Sequence, residues 1–210
     1  MTGRPVGAIL IADDHPLFRQ ALALAAAAVA PDAELIEAGT IDAALAALQG
    51  RGDIALACLD LRMPGADGYS GVALIHAECP DVPILVVSSA DPARAAADSV
   101  RYGAVGFVGK DADLGTIEAA MRDALAGKRI APPPRDAEVD AMAAKVASLT
   151  PMQLRVLLMV LSGRLNKQIA WDLKISEATV KAHMTAIFRK MDVQNRTQAA
   201  LAAKALGLEG

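Results

Sequence analysis

The stretch that most constrains this chain is Ala55-Leu56-Ala57-Cys58-Leu59-Asp60-Leu61-Arg62-Met63-Pro64-Gly65-Ala66-Asp67-Gly68. An unbroken apolar run ends on a carboxylate, and a loop with Pro and Gly follows at once. A run this apolar reads as a strand buried on both faces, the environment of a parallel sheet flanked by helices. Asp60 then stands at the carboxyl end of its strand, the edge at which open α/β sheets hold ligands. A lone Asp opening a turn fits the same residues, so the neighbouring segments decide between the two.

Those segments repeat the pattern. Residues 6–12 form an apolar run ending on Asp13-Asp14, and residues 34–38 make a short strand. Residues 84–87 end on Ser88-Ser89, and residues 105–108 are followed by Lys110. Helix signals lie between them: Pro near the start of 16–30, Thr40 capping a segment to 49, a run over 69–78 closed by Pro80, Asp91 and Pro92 opening a segment to 102, and 113–126 ended by Gly127. Five strand–helix units with short connections imply a parallel sheet covered by helices on both faces. With right-handed crossovers, the expectation is an α/β domain of flavodoxin-like strand order 2-1-3-4-5.

Ile130-Ala131-Pro132-Pro133-Pro134-Arg135 suits neither helix nor sheet and reads as a stiff linker. A short linker helix over 138–147 follows it. From Ser148 onward the pattern is purely helical: Pro151 to Leu161, a short helix capped by Asn166, a long one from Ser176 to Met191, and a last one from Thr197. A short helix, a tight turn and a longer capped helix are the ingredients of a helix-turn-helix. The expected division is therefore 1–129, a linker over 130–147, and a small all-α domain over 148–210.

Charge follows the same division. Residues 1–130 carry 10 Lys/Arg against 17 Asp/Glu, a net of −7, whereas residues 148–210 carry 9 against 4, a net of +5. An acidic front and a basic tail imply different partners, and the tail's excess permits nucleic-acid binding. Opposite charges also allow the basic reading surface to lie against the acidic domain. No apolar run reaches the ~18 residues of a membrane span, and residues 1–5 lack a signal-peptide core. Cys58 and Cys79 form neither a metal pair nor a disulfide framework, so both are expected in the core of a cytoplasmic protein.

On the predicted order, Asp13, Asp14, Asp60, Ser88 and Lys110 all fall on one carboxyl edge of contiguous strands. Close carboxylates repel, and a hard divalent cation with oxygen ligands relieves that; Mg²⁺ takes one or two carboxylates plus a phosphate. A carboxylate oxygen is also a competent nucleophile toward phosphorus, and Lys110 offers a point charge to phosphoryl oxygens. A nucleotide or flavin site fits less well, because the loop after the first strand is Asp13-Asp14-His15-Pro16 and lacks the Gly-rich phosphate cradle. No substrate-pocket motif for an enzyme is evident, and His15 reads as a loop residue.

Asp13-Asp14, Asp60 with Met63-Pro64 and Gly68, Ser88 and Lys110 resemble the receiver domain of two-component response regulators over residues 6–127. The resemblance implies phosphotransfer from a sensor histidine kinase to Asp60. It implies Mg²⁺ held by Asp13, Asp14, Asp60 and the backbone carbonyl of Arg62, and a switch pair of Ser88 and Phe107. Phe107 stands where many receivers have Tyr, and Asp111 where many have Pro.

In the tail, Leu149-Thr150-Pro151, Asn166-Lys167-Gln168-Ile169-Ala170, Ser176-Glu177-Ala178-Thr179-Val180-Lys181-Ala182-His183 and Asn195-Arg196-Thr197 resemble the LuxR-type helix-turn-helix domain over 148–206. Val180, Met184, Ile187 and Met191 recur at helical spacing as a buried stripe. By resemblance, Lys181, Ala182 and Thr185 face bases, while Asn166, Lys167, Thr179, His183 and Asn195 contact or position the phosphate backbone. Met152-Gln153 departs from the common Arg-Glu. The reading is a response regulator, a non-enzyme that dimerises when phosphorylated and binds DNA. The alternative is a phosphorylation-independent DNA-binding regulator with a vestigial receiver.

Overall fold

Strand β3 (Ile54–Leu59) is the centre of a five-stranded parallel sheet. The structure is a computed structural model and describes residues 7–90, 92–129 and 137–209. The elements run β1 (Ala8–Ala12), α1 (Pro16–Val29), β2 (Glu34–Ala38), α2 (Ile41–Leu48), β3, β4 (Asp67–Gly68), α3 (Ser70–Glu78), β5 (Ile84–Ser88), α4 (Pro92–Arg101), β6 (Ala104–Gly109) and α5 (Leu114–Leu125). The tail follows as α6 (Ala137–Ala147), α7 (Pro151–Leu161), α8 (Asn166–Asp172), α9 (Glu177–Met191), α10 (Arg196–Ala205) and β7 (Leu208–Glu209). Sheet order is β2-β1-β3-β5-β6, which is 2-1-3-4-5 counted over the sheet's own strands, as the sequence implies. The Pro-rich linker reading and the Asp91 cap fall outside the described residues.

Two-residue alternation sorts each strand's side chains between two layers. Ile9, Ile11, Leu56, Cys58, Leu85 and Val87 pack against Leu22 and Ala26 of α1 and Ile117 and Met121 of α5. Leu10, Ala57, Leu59 and Val86 pack on the other face against α2 and α3. Small residues, chiefly Ala, let these helices approach the sheet closely. Cys58 is fully buried, and burial pushes its thiol up to about 12, so it is an inert core residue. Among the described residues no single helix is long and apolar enough to cross a membrane.

The tail helices are fixed at their starts by side-chain caps. Thr150 Oγ1 accepts from Gln153 N at 3.3 Å while Gln153 Oε1 accepts from Thr150 N at 3.1 Å, a reciprocal capping box. Ser176 Oγ accepts from Thr179 N at 3.0 Å. Two starts differ from the sequence expectation. Asn166 is the first residue of α8 rather than its cap; the cap is Leu165, whose N–H is bound at 2.7 Å by Gln168 Oε1. Helix α10 begins at Arg196 rather than Thr197, and Asn195 caps it, with its Oδ1 accepting from Gln198 N at 2.9 Å. The expected stripe of Val180, Met184, Ile187 and Met191 is buried.

The two halves meet in a way the sequence did not signal. β4, in the loop after Asp60, pairs antiparallel with β7 at the far end of the chain, Gly68 opposite Leu208. Tyr102 Oη donates to Leu206 O at 2.8 Å, and the Tyr69 and Tyr102 rings stack at 5.7 Å. Gly68 sits at φ +59°, and a Cβ there would come within 2.7 Å of Gly207 O, so the close crossing of the two chains requires glycine. Helix α7 packs against α3. The surface expected to read DNA does not lie against the acidic domain: Lys181, Ala182 and Thr185 are exposed. Apolar and backbone contacts, not charge complementarity, make this junction.

Candidate functional site

Ala12 ends β1 and Leu59 ends β3 in register, so the next residues, Asp13 and Asp60, emerge side by side at the carboxyl edge. Asp60 N is tied to Ala12 O at 2.9 Å, and Asp13 N to Ala38 O at 3.0 Å. Both carboxylates are buried, Asp13 fully. Lys110, just past β6, lies with its Nζ 2.6 Å from Asp13 Oδ2 and 2.8 Å from Asp60 Oδ2. Burial alone would lower its pKa, but the hydrogen bonds and charges of Asp13 and Asp60 outweigh burial and raise it. The Lys110 ammonium is also 4.7 Å from the centre of the Phe18 ring.

Asp14 is exposed beside them, and its Oδ1 is 2.7 Å from His15 Nδ1. Ligand atoms of Asp13, Asp14, His15 and Asp60 all lie within 4.8 Å of one another. Arg19 braces the turn by donating to Asp13 O at 2.7 Å and to Glu37 Oε2 at 3.1 Å. Sequence reasoning passed over Phe18 and Arg19, and treated His15 as a loop residue. The available signal was position: all three sit within the first turn after the paired aspartates.

Ser88 ends β5 opposite Gly109 and is buried, and its Oγ has no hydrogen-bond partner among the described residues. The half-buried Phe107 is opposite Val86, so Ser88 and Phe107 share one face of the sheet. Arg62 follows Asp60 by two residues in the loop, with its side chain exposed. That loop is closed by a Met63–Ala66 bridge and by Ile41 N donating to Pro64 O at 3.1 Å. The structure thus gathers Asp13, Asp14, His15 and Asp60 into one cluster able to hold a metal ion, braced by Lys110, with Ser88 at the same edge.

The second surface is on the tail. Lys181, Ala182 and Thr185 occupy the outward face of α9, opposite its buried stripe. Thr185 Oγ1 donates to Lys181 O at 3.0 Å, so it presents its methyl group and an acceptor outward. Thr179 is exposed in the first turn, 2.8 Å from Ser176 Oγ. Lys167 is exposed on α8, and His183 is half-buried. Asn166 Oδ1 accepts from Arg196 Nη1 at 3.4 Å, and Arg196 also binds the carbonyl of Arg164. Arg196, which the sequence placed only within a motif, is therefore the strut joining the α7–α8 turn to α10. Asn195 spends its side-chain oxygen on the cap.

An acidic, lysine-braced edge on a doubly wound sheet joined to a helix-turn-helix defines a signal-receiving, DNA-binding regulator. Known proteins agree. Residues 9–122 match the response regulator receiver domain family, and residues 147–203 match the family of bacterial regulatory proteins, luxR family. The chain is 38% identical over 207 residues to the glycerol metabolism activator of Pseudomonas putida, covering 93% of this chain and 94% of that one. It is 30% identical to the nitrate/nitrite response regulator protein NarP of Escherichia coli, covering 92% of each. The signal receiver domain of NarL from Mycobacterium tuberculosis aligns with a TM-score of 0.52 at 29% identity, covering 60% of this chain and 99% of that one. RcsB of Salmonella typhimurium shares the fold over 96% of this chain and 100% of that one, with a TM-score of 0.55 at 20% identity. The chain belongs to the two-component response regulators that join a receiver domain to a LuxR-family helix-turn-helix DNA-binding domain.

Proposed function

We propose that Asp60 is the phosphoacceptor and that its phosphorylation by a sensor histidine kinase controls DNA binding by the tail. The single observation that carries this is the buried Asp13–Lys110–Asp60 cluster, where one ammonium contacts both carboxylates. In the transfer, an Asp60 carboxylate oxygen forms a bond to phosphorus as the P–N bond of a phosphohistidine breaks. The electron pair leaves with the imidazole nitrogen, which takes a proton. Lys110 turns its charge toward the phosphoryl oxygens, and Ser88 Oγ, which has no hydrogen-bond partner among the described residues, donates a hydrogen bond to one of them. Ser88 and Phe107 then move as the switch pair.

The donor set fits Mg²⁺. Asp13, Asp14 and Asp60 offer only oxygen, close together, and the backbone carbonyl of Arg62 is near in sequence. The ion would neutralise charge on the phosphoryl oxygens in a loose transition state. His15 would leave Asp14 for that purpose, its contact being exposed.

In the tail, Lys181, Ala182 and Thr185 read bases, and Asn166, Lys167, Thr179, His183 and Asn195 position the phosphate backbone. Two copies read two half-sites, with the phosphorylated chain a homodimer. Helix α10, whose Leu201 is 64% exposed, supplies the tail's contact. The functional division we infer is 1–129, a linker over 130–147, and 148–210; the receiver-family match over 9–122 falls inside the first part, and the luxR-family match over 147–203 begins one residue before the last. The setting is the cytoplasm, where kinase and DNA meet. Incubation with acetyl phosphate and Mg²⁺ tests the site: one phosphoryl group should add by mass and be lost to hydroxylamine, and Asp60→Asn should take none. Equal labelling of the variant would remove Asp60 from the role.

A further inference from the structure

Trp171 is the chain's single tryptophan and is 83% exposed, an unusual position for a side chain that large and apolar. It lies on α8 four residues after Lys167, so the two share the face opposite the buried Ile169 and Ala170. Together with Lys174, Ile175 and Glu177 they line an open concavity of about 940 Å³ between α8 and the start of α9. Arg164, at its edge, is bound to Asp172. Lys167 and Lys174, four residues before and three after Trp171, are exposed cations lining the same concavity.

Lys174 holds a left-handed backbone at φ +55°, where glycine is free of strain. A cation is thus kept beside Trp171 at some conformational cost. The concavity also runs directly into the DNA-reading surface: Lys167 belongs to both, and Glu177 opens the first turn of α9, two residues before Thr179. In a helix-turn-helix the first helix crosses the sugar-phosphate backbone while the second enters the groove.

We propose that Trp171 docks on the backbone of duplex DNA. Its ring lies against a deoxyribose, its Nε1–H donates to a phosphate oxygen, and Lys167 and Lys174 take the flanking phosphates. The contact carries no sequence information; it fixes the angle at which α9 enters the groove. This inference rests on the tail's DNA-binding reading and adds a residue to it. An aromatic platform with a single donor and flanking lysines suits a polyanion that presents sugars and phosphates in alternation.

The single indole is its own probe. Full-length protein is titrated with a fluorescein-labelled mixed-sequence duplex at low salt, following DNA anisotropy, Trp171 emission and acrylamide quenching together. Quenching should be efficient in the free protein and fall as DNA saturates, with the same midpoint as the anisotropy. Trp171→Ala should weaken binding about tenfold on every duplex alike, the scale of losing a hydrogen bond to a charged group, and Trp171→Phe by less. The side chain is exposed, so circular dichroism should show an intact fold. Unchanged quenching at saturating DNA overturns the proposal. So does unchanged affinity of Trp171→Ala in an assay where Lys181→Ala binds weakly, and there the DNA-binding reading survives. Protection that grows with protein concentration without DNA assigns the surface to contact between copies and also overturns it. Failure of the parent chain to bind any duplex removes both readings.

Discussion

Replacing Lys110 by Met should convert the receiver's acidic edge from a stabilised cluster into a repulsive one. The ammonium lies 2.6 Å from Asp13 and 2.8 Å from Asp60, whose side chains are 0% and 4% exposed. Without it, two carboxylates face each other across no more than about 4.8 Å. At an effective dielectric of about 20, that repulsion is roughly 3.5 kcal/mol, close to the ~3–5 kcal/mol lost when one partner of a buried pair is removed. A domain of this size shifts by about 3–5 °C per kcal/mol, so the receiver's unfolding temperature should fall by about 10 °C or more in EDTA. Mg²⁺ should recover most of the loss, because a divalent cation replaces the missing charge, and should therefore stabilise the variant more than the parent. Calorimetry on the full chain measures the shift, and hydrogen exchange at the β1 and β3 amides assigns it to the receiver. A variant as stable as the parent in EDTA, or one indifferent to Mg²⁺, would refute this electrostatic account.

Three further outcomes follow from the geometry. The parent's advantage over Lys110→Met should hold at neutral pH and disappear only in strong alkali: the folded-state pKa of Lys110 is raised above the ordinary 10.5, so its contribution is complete below that value and lost as pH climbs through the raised one; loss near neutrality in a pH-dependent melt would contradict this. Tyr102→Phe, which removes the hydroxyl bound to Leu206 O, should loosen the junction by about 0.5–1.5 kcal/mol, and Gly68→Ala should loosen it further through the clash with Gly207 O; small-angle scattering and hydrogen exchange at Leu208 read both, and unchanged protection would discount the clasp. Lys181→Ala should cost about 1–3 kcal/mol on a specific duplex if the lysine reads a base, whereas an equal loss on all sequences with a flatter salt dependence would make it a phosphate contact.

The receiver's topology was legible because four of the five strands of the parallel sheet are apolar runs, the edge strand β2 with its two glutamates being the exception, and because the crossovers carry helix start and stop signals. Asp13, Asp60 and Lys110 were legible as a group because three separate strands end on polar residues at one edge. The junction was not. β4 and β7 are two residues each, too short to show any periodicity, and their pairing joins segments about 140 residues apart. Charge, the only long-range signal the sequence offered, pointed to the wrong surface; Tyr69, Tyr102 and the α3–α7 packing decide the contact instead. Asn166 was misplaced by one residue because Asn is the better cap by propensity, yet Gln168 reaches back to Leu165 and Arg196 engages the Asn166 side chain. Arg19 and Phe18 read as ordinary helix residues until the fold brought the end of β6 beside α1.

The central claim, that a phosphoryl group on Asp60 governs the tail, is tested most directly by DNA affinity of the full chain measured with the phosphoryl stoichiometry known. With acetyl phosphate and Mg²⁺, affinity should rise together with the fraction of chain carrying an Asp60 acyl phosphate, and Asp60→Asn should remain at the unphosphorylated level. Coupling of about 1–3 kcal/mol is typical of such linked sites, so the rise should be about 5- to 150-fold. An unchanged affinity at full Asp60 phosphorylation, or an equal rise in Asp60→Asn, would contradict the account and favour a receiver that no longer signals.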